Sequence, residues 1–177
     1  DRSLERRGKT NVGRAIDADT VVDALRVLDT WASGEPWTEH ALPGKLTIAV
    51  CHDIRAYYTE AALKLARRHF HDRKEDRFEI VAFEGAFHGR TLFTVSATGT
   101  PAYWEGFGPM VQGISHAAWG DLDSVRGLLS ERTAAILVEP IQGEGGIRLP
   151  PPGFLQGLRK LADENGCLLI FDEVQVG

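Results

Sequence analysis

Two short runs restrict the possible folds of this chain more than any other feature. Ala134-Ala135-Ile136-Leu137-Val138 and Cys167-Leu168-Leu169-Ile170-Phe171 contain no polar side chain. A strand with one wet face alternates apolar and polar residues, so a strand apolar throughout must be covered on both faces. Between them, Phe154, Leu155, Leu158, Leu161 and Ala162 recur at helical spacing, and Asn165-Gly166 supplies a stop. Strand, helix and strand in this order predict a parallel sheet clad by helices on both sides, an α/β fold of three αβα layers.

The rest of the sequence extends the same pattern. Phe78 to Phe83 reads as a strand followed by a glycine-bearing turn at Gly85 to Gly89, and Asp121 to Glu131 as a helix with aspartate caps. Thr59 to Arg68 is rich in helix formers, and the charged stretch His71 to Arg77 closes it. Leu46 to Val50, after Pro43-Gly44, suits a short buried strand. Asp19 can cap a helix over roughly residues 20–32, broken by Ser33-Gly34-Glu35-Pro36, and the first fifteen residues read as a loose basic end. The chain begins without Met and stops within a strand exit, so a fragment is expected, with a poorly assignable segment 1–58 and a partial domain 59–177.

Composition narrows the function. Against 20 basic residues stand 25 acidic ones, which argues against a nucleic-acid partner. The apolar runs are far too short for a membrane span, and Asp1 to Arg7 has no apolar core like that of a signal peptide. Two cysteines, Cys51 and Cys167, form no disulfide framework or metal cluster; they suit a reducing, cytoplasmic setting. No Gly-x-Gly-x-x-Gly follows a strand, which disfavours a dinucleotide-binding dehydrogenase.

Ligands of parallel sheets sit outside the carboxyl ends of the strands. Three polar or glycine-rich clusters fall there: Glu84 to Arg90, Glu139 to Gly146, and Asp172 to Gln175. Any one of them can be a helix cap or a solvated loop. Three that follow successive strands converge on one rim.

These clusters carry a resemblance. Ala82-Phe83-Glu84-Gly85-Ala86-Phe87-His88-Gly89-Arg90-Thr91, Val138-Glu139-Pro140-Ile141-Gln142-Gly143-Glu144-Gly145-Gly146 and Phe171-Asp172-Glu173-Val174-Gln175 resemble, in order and spacing, the class III aminotransferases that use pyridoxal 5′-phosphate. The wording is most similar to the acetylornithine branch of that class. The resemblance implies the large domain of the aspartate-aminotransferase-like fold, here incomplete. It implies transfer of an amino group from N-acetylornithine to 2-oxoglutarate in arginine biosynthesis, within a homodimer whose contact lies near the turn after Arg90. Ornithine, succinylornithine and 4-aminobutyrate enzymes share the motifs, and a non-catalytic binding domain derived from a transaminase is a further reading.

The same resemblance implies residue roles. Asp172 would pair with the cofactor's ring nitrogen, Val174 and Phe87 would flank the two faces of the ring, and Gln175 would bond its phenolic oxygen. Glu139 would sit beside the cofactor. His88 shares the Phe87 turn, with a structural and a functional role both open. Glu144 would gate the substrate carboxylate together with an arginine. Two departures stand beside these matches. The Schiff-base lysine of the class has no counterpart among Lys9, Lys45, Lys64, Lys74 and Lys160, so the sequence as it stands is expected not to transaminate. Where the class has a Ser-Gly turn for the phosphate, this chain has Ile54-Arg55, with Arg55 or Thr59 as the remaining phosphate contacts or the site lost.

Overall fold

The computed structural model describes residues 47–50 and 57–176. The expected helix over residues 20–32 and the Ile54-Arg55 turn lie outside the described residues. Five strands form one sheet: β1 (Thr47–Val50), β2 (Glu79–Phe83), β3 (Ile114–Ala117), β4 (Thr133–Val138) and β5 (Leu168–Asp172). Their lateral order is β1-β5-β4-β2-β3, and every pairing is parallel. The two runs without polar residues are the neighbours β4 and β5 at the centre, where both faces are dry. All six residues of β4 are buried.

Alternate residues divide between the two helical layers. Val81, Phe83, Ile136, Val138 and Leu169 join Leu158, Leu161 and Phe154 in a single buried cluster. Those last three belong to α4 (Phe154–Asn165), which packs beside α3 (Leu122–Leu128) on that face. The opposite parity of the strands is covered by α1 (Tyr57–Asp72) and α2 (Leu92–Ala97). Burying an aliphatic side chain in such a layer is worth about 1.5–3 kcal/mol.

Local chemistry sets the helix ends. Asp121 caps α3 by accepting from the N–H groups of Asp123 and Ser124. The helix stops at Leu128, three residues short of the expected Glu131. Gly166, at φ 62°, ends α4 by donating its N–H back to Ala162 and Asp163, as the Asn165-Gly166 signal predicts. Three elements escaped the sequence reading: α2, a single 3-10 turn at Pro101–Tyr103, and the edge strand β3.

Candidate cofactor site at the sheet rim

All strands run the same way, so the carboxyl ends of β2, β4 and β5 lie on one rim. Those three are adjacent in the sheet, and they carry the three polar clusters. Convergence of the clusters is therefore a consequence of strand order.

Asp172 closes β5 and is 4% exposed. Its Oδ2 accepts from the Thr59 hydroxyl at 3.1 Å and lies 2.8 Å from His88 Nδ1. Its Oδ1 accepts the Val174 N–H at 3.2 Å, an Asx turn that starts the exit from the strand. A carboxylate offers about four acceptor positions. Among the described residues three are filled, two on Oδ2 and one on Oδ1, and the free one is on Oδ1. His88 is wholly buried, and its Nε2 has no hydrogen-bond partner among the described residues. Its backbone N–H donates to Thr98 Oγ1 at 3.0 Å, so the turn after β2 is tied to the end of α2. Gly89 follows at φ 123°, a conformation open to glycine.

Glu139, at the end of β4, is also buried. Its Oε2 accepts the Phe87 N–H at 3.1 Å. Desolvation raises its carboxyl above the ordinary value of 4.5, against the opposing pull of His88 and of the Phe87 N–H. Phe87 is half-buried; its ring meets Tyr103 edge-on at 5.6 Å, and the Arg90 guanidinium lies over both rings.

The loop after β4 is clasped to the turn after β2. Gln142 is fully buried; its Nε2 donates to the Glu84 carbonyl at 2.9 Å, and its Oε1 accepts from Arg148 at 3.1 Å. A side chain at Gly145 would meet the Gly85 carbonyl at 2.7 Å, so the two backbones touch because residue 145 has no Cβ. The Gln175 amide lies against Gly143 in the same way, which brings the β5 exit onto the β4 loop. Glu144 is exposed on this loop, next to Gly143 and Gly145.

The structure thus brings Phe87, His88, Glu139, Asp172, Val174 and Gln175 to one rim and leaves Glu144 exposed beside them. Thr59 departs from the sequence reading. Its hydroxyl is buried and donates to Asp172, so it is a partner of the carboxylate. Gln142 and Thr98 were not foreseen; the only signal for Gln142 was its place within a glycine-rich strand exit. The described lysines lie elsewhere. Lys64 and Lys160 pair with Glu60 and Glu164 on their own helices, and Lys74 is exposed after α1.

Ligands of all-parallel sheets bind at such a rim, and a buried, hydrogen-bonded carboxylate there has the chemistry to accept a charged N–H. Comparison with known proteins gives the family. The description "Aminotransferase class-III" matches residues 53–177. The acetylornithine aminotransferase of Rhodobacter capsulatus is 55% identical over 67% of this chain and 30% of its own length. A succinylornithine transaminase of Salmonella paratyphi B is 56% identical over 67% of this chain and 29% of its own. An ornithine aminotransferase from Toxoplasma gondii, whose structure shows partial occupancy of PLP at its active site, is 34% identical and superposes at a TM-score of 0.66 over 71% of this chain and 30% of its own. The chain belongs to the class III aminotransferase family, whose cofactor is pyridoxal phosphate. It spans about 30% of the length of the curated relatives it matches.

The residues present fit that cofactor's ring. Asp172 offers an acceptor held in place on a strand end, and the buried His88 Nε2 has no hydrogen-bond partner among the described residues.

Proposed function

We propose that this chain is the cofactor-holding part of an aminotransferase and that its rim takes the ring of pyridoxal phosphate through Asp172. The observation that carries this reading is the Asp172 carboxylate, fixed by Thr59, His88 and the Val174 N–H with one acceptor position left on Oδ1. When bound, the cofactor supplies an electron sink for amino-group transfer. Asp172 Oδ1 would accept the ring nitrogen's N–H and keep the proton there, which deepens the sink. Phe87 and Val174 would flank the ring, with Glu139 fixing the Phe87 backbone and Tyr103 its side chain. Gln175 would donate its amide N–H to the phenolic oxygen.

For the substrates, we propose N-acetylornithine as amino donor and 2-oxoglutarate as acceptor. The acetylornithine relatives at 55–56% identity support this pair. Succinylornithine is the second reading, favoured by the Salmonella relative at 56%. Glu144, exposed on the β4 loop, would gate the substrate carboxylate with an arginine. The whole enzyme would be a cytoplasmic homodimer meeting near the segment after Arg90, where Leu92 and Phe107 expose apolar side chains. Among the described residues no helix is long and apolar enough to cross a membrane.

Titration of the chain with pyridoxal phosphate, followed by cofactor absorbance and protein fluorescence, tests the proposal. Saturable binding that weakens at least tenfold in Asp172→Ala, with an unchanged circular-dichroism spectrum, is expected. Equal affinity in the variant, or no binding by the parent chain, would overturn it.

A further inference from the structure

The Thr59 hydroxyl lies in the first turn of α1, 113 residues before its partner, and is 0% exposed. Burying a hydroxyl without a partner is costly, and here the partner is a carboxylate that is itself buried. The contact also closes a ring of hydrogen bonds. Thr59 reaches Asp172, Asp172 reaches His88, and the His88 N–H reaches Thr98 at the end of α2. At the other end of α2, Thr91 donates to Glu60, which follows Thr59 in α1. The helix α1, the end of β5, the turn after β2 and α2 are thereby linked to one another by hydrogen bonds, two of which end on Asp172.

The consequence for Asp172 is orientational. Without Thr59 the carboxylate would be held by one group on each oxygen, His88 on Oδ2 and the Val174 N–H on Oδ1, and each oxygen would keep an unfilled acceptor position. With Thr59 as a second donor on the same atom, and Val174 on the other, the plane of the carboxylate is set and the free acceptor position on Oδ1 points one way. Resting on the cofactor reading above, we propose that Thr59 is a positioning residue. By holding Asp172 Oδ2 it presents Oδ1 to a cationic ring N–H, and so acts on recognition of the ring nitrogen and not on the ring's other groups.

Selectivity between two ligands separates this role from simple support of the fold. Pyridoxamine 5′-phosphate carries the ring nitrogen and needs no lysine to bind; 1-deazapyridoxamine 5′-phosphate has C–H in its place. Dissociation constants for both are measured with the full chain, Thr59→Val, Thr59→Ala and Thr59→Ser. Thr59→Val keeps the volume and loses the hydroxyl. It is expected to weaken pyridoxamine 5′-phosphate about tenfold while the deaza ligand changes less than twofold. Thr59→Ala should show the same selective loss, and Thr59→Ser, which keeps the hydroxyl, should restore the parent's ratio of affinities even where it melts lower. Equal weakening of both ligands would show a structural role only and overturn the inference, as would no change in either. If the parent chain binds neither ligand, the cofactor reading itself falls, and this inference with it.

Discussion

At the scale of single residues, the rim candidates were readable because each follows a strand directly, and chain order alone places a strand's exit. Asp172, Glu139 and Phe87 belong to that set. The partners of Asp172 do not. Thr59 and His88 are 113 and 84 residues away, and contact requires β5 to lie against α1 while β4 separates β5 from β2. Nothing in local spacing encodes that lateral order. A second residue-level feature is Ile147, a β-branched side chain at φ 52° and 79% exposed. Its backbone strain is stored without any burial to offset it. Ile147→Gly is expected to raise stability by about 1 kcal/mol, measured as the shift of the urea midpoint at constant slope. Cys167 is a further case: burial pushes its thiol up to about 11, so it should resist alkylation at pH 8 until the chain unfolds, as read by mass spectrometry.

At the scale of elements, the central strands were legible and the β3 side was not. β4 and β5 declare themselves through unbroken apolar runs. In β3, Ile-Ser-His-Ala, only Ala117 is fully buried, so an edge strand with three half-buried residues gives no periodic signal. α2 is six residues long and holds one threonine and one serine between threonine caps, too short for a helical stripe to show. What fixes that region is a close approach, not a pattern. A Cβ at Gly99 would overlap the Phe83 carbonyl oxygen at the end of β2, while Gly99 N–H donates to the Ala86 carbonyl and Gly85 N–H to the Gly99 carbonyl. Gly99→Ala is therefore expected to cost about 3 kcal/mol by chemical denaturation, far above a surface exchange. Because Thr98, its neighbour, holds His88, the same change should loosen the rim and weaken cofactor binding.

At the scale of the whole described unit, buried ionisable groups give stability a definite dependence on pH. Burial pushes His116 and His69 below 6.5, so their contribution is present above the unfolded value and lost as pH falls through the depressed folded values. Glu139 has the opposite sign. Its folded value is raised above 4.5, so its contribution is present below the unfolded value and lost as pH rises through the raised one. Glu139→Gln keeps an acceptor for the Phe87 N–H and removes the buried charge. It should be more stable than the parent at pH 8, with the difference vanishing near pH 4.5 in denaturation midpoints. The carboxylate is retained against that cost at the rim, where the three strand ends meet. The central claim is that this rim holds a pyridoxal ring with its nitrogen protonated against Asp172. The ¹⁵N resonance of ring-labelled pyridoxamine 5′-phosphate bound to the chain at pH 8 tests it most directly. A protonated-range shift in the parent chain that moves to the neutral range in Asp172→Asn is predicted, and a bound ligand with the same neutral-range shift in both would contradict it.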